Sequence, residues 1–262
     1  MLIPSLHWPV HWSRRHKSSA TIACAALLLL AALWFMAIPL AYAPSPIGEA
    51  ADNFAQGTRV TVQLTLVSGL AGILIGVVAA LGKTSRVLPL RWAATFYIWV
   101  IRGTPLLVQV LFVFLALPMI APALQFSDFT SACIALAFNA GAYNAEALRS
   151  GLMAVPKGQV EAAQSLGLSR WFIFYDVVFP QAFKIALPSL VNNSVALLKD
   201  SSLAYAIGVV ELTNVGNRIQ AATFLPVPTL ITTACIYLFL TTVLTHMSDA
   251  IERYYDVEGR LQ

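Results

Sequence analysis

Six apolar runs of about 20 residues or more recur along this chain of 262 residues, at about 19–43, 60–82, 95–121, 130–149, 183–205 and 229–250. A run of that length matches the hydrocarbon thickness of a bilayer. Inside a bilayer every backbone N–H and C=O must be satisfied by the chain itself, and a continuous apolar run does this as a helix. Composition agrees: 58% of residues are hydrophobic and 11% charged, against roughly 45–50% and 25% in soluble domains. The expected fold class is therefore an all-α membrane protein with about six transmembrane helices. The fifth run is the least clean, because Asn192, Asn193, Lys199 and Asp200 interrupt it.

A net charge of +4 suggests a nucleic-acid partner only until its distribution is read, and no nucleic acid is expected. With a cytoplasmic N-terminus, the inner side receives Arg14, Arg15, Lys17, Lys83, Arg86, Arg91, Arg149, Lys157, Arg170, Lys184, Arg253 and Arg260. The outer side keeps Arg59 and Arg218. That asymmetry sets the orientation and puts both termini in the cytoplasm. The basic flank Arg14-Arg15-His16-Lys17, the following apolar run and Ala41-Tyr42-Ala43 imitate a signal peptide. The apolar stretch of about 22 residues exceeds the usual 7–15 of a signal core, and Pro44 would sit just after the cleavage point. An uncleaved anchor is the expectation, and a basic anchor flank explains Arg14-Arg15 better than a twin-arginine signal.

Between the fourth and fifth runs lies a polar insert of roughly 30 residues, long for a connection in such a chain. It holds Lys157, Gly158, Gln159, Glu161, Ala162, Ala163, Leu166, Gly167 and Arg170. Lys157 to Leu166 reads as a short helix, with Gly167 as a left-handed stop. Ser169 can cap a second helix that ends before Pro180. An ordinary amphipathic surface helix is the plainer alternative, since Ala and Glu are good helix formers.

Gly82-Lys83-Thr84 resembles the end of a phosphate-binding loop, but that loop requires Gly at position 77, where Val77 stands. The segment also closes an apolar run instead of joining a strand to a helix, so the chain has no visible ATP site. Asn192-Asn193-Ser194 matches a glycosylation acceptor but lies within a span. Cys24, Cys133 and Cys235 fall in separate runs without metal-type spacing and read as packing residues. His7, His11 and His16 read as a solvated tail, and His246 stands apart, so no metal site or catalytic constellation is expected.

Charged and amide groups at membrane depth are costly unless paired or wet, which makes each a candidate for the transport path. On a helix Asn192, Ala196 and Lys199 share one face, and Asn193 and Asp200 a neighbouring one. They form either a polar stripe facing a translocation cavity, or a span end at Lys199-Asp200 with asparagines bonding adjacent helices. Asn139, Tyr143 and Glu146 are spaced along the fourth run, where Glu146 with Arg149 reads as an anchoring i,i+3 ion pair. Arg102-Gly103-Thr104-Pro105 would bend the third run or, as the preferred local reading, start a helix with Thr104 as cap and Pro105 first.

Arg102-Gly103-Thr104-Pro105-Leu106-Leu107-Val108-Gln109, Tyr143-Asn144-Ala145-Glu146, Gly158-Gln159-Val160-Glu161-Ala162-Ala163, Pro180-Gln181-Ala182 and Leu198-Lys199-Asp200-Ser201-Ser202-Leu203 occur in order. Together they resemble the polar amino-acid branch of ABC-importer permeases, which serves histidine, arginine, glutamine, glutamate and opines. The segment Glu161-Ala162-Ala163, Gly167, Val177, Phe179-Pro180 is similar to that family's cytoplasmic coupling loop, with Val177 and Phe179 as mild apolar departures. The resemblance covers about 57–255, with the coupling loop at about 151–182. Residues 1–56 are left as a tail, an extra N-terminal span and an outer linker, and 256–262 as a C-terminal tail.

The resemblance implies a multi-pass subunit of a bacterial cytoplasmic membrane, with a five-helix core and no cofactor of its own. It also implies a second permease subunit, identical or different, ATPase subunits that carry ATP and Mg, an extracytoplasmic binding protein, and a polar amino acid as substrate. Lys157, Gln159, Glu161, Ala162, Ala163, Leu166, Gly167 and Arg170 would meet the ATPase, with Ala162 and Ala163 allowing close approach in its cleft. Asn139, Tyr143, Asn192, Asn193, Lys199 and Asp200 would border the path. Asn193 stands where many members carry Glu, which weakens a simple lysine or arginine assignment. An ion-coupled secondary transporter is the rival reading, but it would need repeated halves and a buried acidic coupling site. A non-transporting scaffold is disfavoured by the polar fifth run and the polar insert.

Overall fold

The computed structural model describes residues 10–255. His7, Arg260 and the tail 256–262 lie outside the described residues, as do the side chains of His11, Arg14, Arg15, His16 and Lys17. The described chain is helical, without strands. It runs through α1 (Val10–Phe35), α2 (Ala37–Ala41), α3 (Ala51–Thr84), α4 (Leu88–Gly103) and α5 (Leu106–Leu111). A π-helical stretch, Phe112–Ala116, leads to α6 (Leu117–Ile120). Then come α7 (Asp128–Ala154), α8 (Lys157–Ser165), α9 (Arg170–Phe172), a second π-helical stretch at Ile173–Val178, and α10 (Phe179–Asp200). A 3₁₀ segment, Ser201–Ile207, precedes α11 (Leu212–Thr223) and α12 (Pro226–Tyr254).

Three helices, α1, α3 and α12, are long and apolar enough to cross a membrane, and α4 with α5–α6 makes a fourth if that pair, bent by 110°, is one span. The helices α7 and α10 have 27 and 22 residues, which is enough length, but a less apolar composition. Their position explains this. Helices packed inside a bundle meet protein and not lipid, and tolerate small and polar residues there.

The bundle is built on the crossing of α3 with α7. A Cβ placed on Gly76 would stand 2.7 Å from the Asn144 Cβ, and one on Gly72 would stand 2.8 Å from the Ala140 Cβ. Small residues four apart let the two backbones approach at a distance that a side chain would forbid. One end of this pair is tied by charge. Glu146 accepts from Arg149 Nε at 3.0 Å and Nη2 at 2.8 Å, and its other oxygen pairs with Lys83 Nζ. The expected anchoring pair thus exists and is extended to α3.

The N-terminal helix is part of the same body. Leu29, Met36 and Leu40 pack on the cluster formed by Phe54, Leu212, Val215, Ile236 and Leu240. Arg59 Nε of α3 donates to the Leu33 carbonyl at 2.8 Å, and its guanidinium lies 5.8 Å over the Trp34 ring. That carbonyl is one of the last four of α1, which have no partner within the helix.

Two local expectations fail. Thr104 and Pro105 do not open a helix as cap and first residue, because α4 already precedes them. Thr104 is extended and ends α4, and Pro105 is the residue before α5. A proline disfavours helical backbone in the residue before it, so the run breaks there. Pro180 likewise does not end the second loop helix. The chain stays helical from Arg170 to Asp200, with Pro180 in the first turn of α10. The wider π-helical stretch just before it breaks the usual ladder where the missing proline donor would count.

Candidate translocation cavity and coupling loop

The break between α4 and α5 opens a cavity. Gln109 secures the break: its Nε2 donates to the Ile101 carbonyl at 2.7 Å, the Thr104 carbonyl at 3.1 Å and Thr104 Oγ1 at 3.0 Å. Carbonyls left over at the end of α4 are thereby satisfied. Its Oε1 accepts from Asn139 Nδ2 at 3.1 Å, tying the break to α7. Irregular backbone at membrane depth is tolerated where it lines a cavity or is buried in protein.

The cavity measures about 430 Å³. Thr104, Pro105 and Leu106 form one wall, Asn139, Ala140 and Tyr143 of α7 a second, and Asn193, Ala196, Leu197 and Asp200 of α10 a third. Four of the six residues expected on the path therefore converge: Asn139, Tyr143, Asn193 and Asp200. Asn193 Nδ2 also donates to Asn144 Oδ1 at 2.9 Å, so this asparagine bonds a neighbouring helix and borders the cavity. The Arg102 guanidinium lies 5.2 Å over the Tyr143 ring.

Asn192 and Lys199 do not join them. Both are exposed, and Lys199 borders a second, more open hollow of about 340 Å³ with Ser202, Thr213 and Tyr237. A difference of about 100° per residue separates these faces on a helix, so adjacent Lys199 and Asp200 serve different surfaces. The cavity's Thr104, Pro105 and Leu106 lay in a quoted motif without being assigned to the path, and Ala140 and Leu197 carried no signal beyond apolarity.

A second buried site had no sequence signal. Glu211 is fully buried and caps α11, accepting from Asn214 N at 2.7 Å and Thr213 N at 2.9 Å. Tyr237 OH donates to it at 2.9 Å, and Thr61 Oγ1 both approaches it at 3.5 Å and accepts from Leu212 N at 3.1 Å. Burial pushes the Glu211 carboxyl up from its ordinary range, while these donors pull the other way. The network joins α3, α11 and α12.

The first helix of the polar insert and the turn after it form as expected. Helix α8 ends at Ser165 with Leu166 as its C-cap, and Gly167 takes φ = 76°. Ser169 accepts from Phe172 N at 3.5 Å at the start of α9. Lys157, Gln159, Glu161, Ala162, Leu166, Gly167 and Arg170 are exposed, whereas Ala163 is buried. Ala163 is thus turned toward its own subunit. Gln181 of α10 donates to Gln159 of α8 and to the Val177 carbonyl. Beside the helix, Leu166, Trp171 and Phe172 form an apolar surface, 81%, 71% and 61% exposed.

Residues 72–256 match the family described as binding-protein-dependent transport system inner membrane component. The chain is 36% identical over 198 residues to the arginine transport system permease protein ArtQ of Bacillus subtilis (strain 168), covering 76% of this chain and 90% of that protein. It is 36% identical over 209 residues to the glutamine transport system permease protein GlnP of Escherichia coli (strain K12), covering 80% and 95%. The crystal structure of an amino acid ABC transporter with histidines superposes with a TM-score of 0.74 at 37% identity, covering 78% of this chain and 95% of that one. An inward-facing MetNI methionine ABC transporter shares the fold, with a TM-score of 0.66 at 18% identity, over 81% of this chain and 99% of that one. The apolar helices, the broken span and the matches in sequence and fold agree, and the chain belongs to the binding-protein-dependent transport system inner membrane components, the permease subunits of ABC importers.

Proposed function

We propose that this permease carries a polar amino acid through the cavity between α4–α5, α7 and α10, and that α8 couples the cavity to a separate ATPase. The observation that carries this reading is mechanical continuity. The exposed helix α8 leads through the Gly167 turn into α9, and from there the chain is helical up to Asn193 and Asp200 at the cavity. The 22 residues of α10 extend about 33 Å at 1.5 Å per residue, the thickness of a membrane core. A displacement at the loop thus has a continuous helical path to the cavity. Relatives named for arginine, glutamine and L-cystine transport support an amino-acid cargo.

In this reading the chain is multi-pass with both termini in the cytoplasm, a second permease subunit completes the pair, and an extracytoplasmic binding protein delivers the cargo. ATP and Mg bind the partner ATPase, whose closure moves α8. Glu161, Gln159, Lys157 and Arg170 supply polar contacts, and Leu166 an apolar one. The extra helix α1 stays in place as an uncleaved anchor, held by Arg59.

The test is reconstitution in liposomes of the full chain with its ATPase and binding protein. Uptake that requires ATP hydrolysis, is stimulated by loaded binding protein and is abolished by Ala196→Trp, which fills the cavity, is the expected outcome. Uptake driven by a proton or sodium gradient without ATP would favour the ion-coupled alternative and overturn the reading.

A further inference from the structure

We infer that the aromatic stretch between the Gly167 turn and α10, together with the end of α12, is a binding site for anionic phospholipid, Lys184 and Arg253 receiving the headgroup phosphate. Six rings form an unbroken row there. Trp171 stacks on Tyr175 at 5.5 Å with an interplanar angle of 10°, Tyr175 meets Phe174 edge-on at 5.4 Å, and Phe174 meets Phe179 at 6.2 Å. Phe179 then meets Phe183 at 6.1 Å, and Phe183 meets Tyr255 edge-on at 6.2 Å. Rings packed on one another ordinarily close a core. Here Trp171, Tyr175 and Phe179, spaced four apart on one helical stretch, stay 71%, 56% and 46% exposed.

The far end of the row marks a level in the membrane. Phe183 opens the fifth apolar run and Tyr255 follows the end of the sixth, so two spans leave the hydrocarbon where these rings touch. In the proposed orientation that level is the inner leaflet. Tryptophan and tyrosine favour such a boundary, because an apolar ring with a polar N–H or O–H is satisfied half in hydrocarbon and half in water. Lys184 follows Phe183 and Arg253 precedes Tyr254, and both are exposed. Neither forms an ion pair or a hydrogen bond among the described residues, so both are available to a phosphate. A long cationic side chain at a span end lays its stem along apolar surface and holds its charge at headgroup level. Of the acids on these segments Asp249 and Glu252 are half-buried, which leaves Asp176 as the exposed one.

Lipid fits this face better than a protein partner. Protein interfaces are depleted in lysine, whereas headgroup phosphate attracts cations at a span end directly. The row is also continuous with α10, which enters the membrane beyond Phe179, so its exposed rings lie against what surrounds that span. A lipid held there sets the height at which the chain leaves the Gly167 turn.

The test is quenching of Trp171 in the full chain reconstituted in phosphatidylcholine nanodiscs, which expose both faces and so do not depend on the orientation. The chain has six tryptophans, so the Trp171 signal is the difference between wild type and Trp171→Phe. Phosphatidylglycerol brominated near the top of its acyl chains is expected to reach half-quenching at a mole fraction at least about fivefold lower than brominated phosphatidylcholine, the factor that one juxtamembrane cation supplies. Lys184→Gln combined with Arg253→Gln should bring the two lipids level while quenching by both persists. The assignment is overturned if neither lipid quenches Trp171, if both quench the wild type equally, or if the preference survives the double substitution. The lipid comparison needs no charge variant, so it stands even if the double substitution fails to fold. Millimolar inorganic phosphate should leave the preference intact, and its loss would assign the site to a free anion instead of a lipid. The cognate ATPase added with nucleotide should also leave the quenching intact. Relief of quenching would show that the ATPase covers this face, and the lipid assignment would fail.

Discussion

The turn at Gly167 allows the coupling reading to be tested without touching the cavity. Its φ of 76° lies in the left-handed region, and a Cβ built there meets nothing within 4 Å. A substitution therefore encounters backbone strain alone, without a clash. For an L-residue that strain is about 1–2 kcal/mol, least for Asn and greatest for a β-branched side chain. One to two kcal/mol shifts an equilibrium by a factor of about 5–30, here between the observed turn and one that leaves α8 at a different angle. ATP-dependent uptake in liposomes should follow the order Gly167, Gly167→Asn, Gly167→Ala, Gly167→Val, with Val lower by at least about tenfold. Gly158 is the internal control: it lies inside α8, also has open space around it and has no positive φ. Gly158→Ala should keep full uptake and stabilise α8 by up to about 1 kcal/mol. Because the loop is exposed, the thermal midpoint in detergent should barely change in any of these variants. Uptake by Gly167→Val equal to wild type would refute the idea that this turn aims the coupling helix.

Three further outcomes follow from the packing. Gly76→Val puts a side chain where even a Cβ stands 2.7 Å from the Asn144 Cβ. It should destabilise the bundle by about 1–3 kcal/mol, seen as a lower thermal midpoint, while Gly103→Ala, with nothing within 4 Å, should cost well under 1 kcal/mol. Glu211→Ala removes the cap of α11 and one of the hydrogen-bond partners of the Tyr237 hydroxyl. It should cost about 2 kcal/mol or more by denaturant titration, and Tyr237→Phe about 1 kcal/mol. Arg59→Ala releases the Leu33 carbonyl and the Trp34 ring, and should increase proteolysis between α1 and α3 with little change in the thermal midpoint of the rest.

Local patterns were legible where the cause is local. Gly167 and Ser169 announce the turn and cap after α8 because left-handed backbone and side-chain capping are properties of single residues. The ion pair of Glu146 with Arg149 is legible from their spacing on one helix. The failures arise where the cause lies elsewhere in the chain. Nothing near Ala163 marks it as buried, because its surroundings come from the way the insert folds back on its own subunit. Glu211 looks like any surface acid, and its burial depends on Thr61 and Tyr237, 150 and 26 residues away. The break at Thr104-Pro105 was legible only as the less preferred of two readings. That Gln109 would secure it and Asn139 would join it was not, since those bonds reach from α5 back to α4 and across to α7.

By itself the sequence determined that this chain is a helical membrane protein, which of its surfaces are charged, and where a polar handle projects. These follow from run length, charge asymmetry and single-residue backbone preferences, none of which requires a partner in space. Only the tertiary structure decided which polar residues meet. It brought Asn139, Tyr143, Asn193 and Asp200 to one cavity, turned Lys199 to another surface and set Arg102 over Tyr143. The physical reason is rotation about the helix axis: adjacent residues differ by about 100°. Which face of α10 looks inward was settled by its packing against α7, where Gly151 leaves room for the Ala182 backbone.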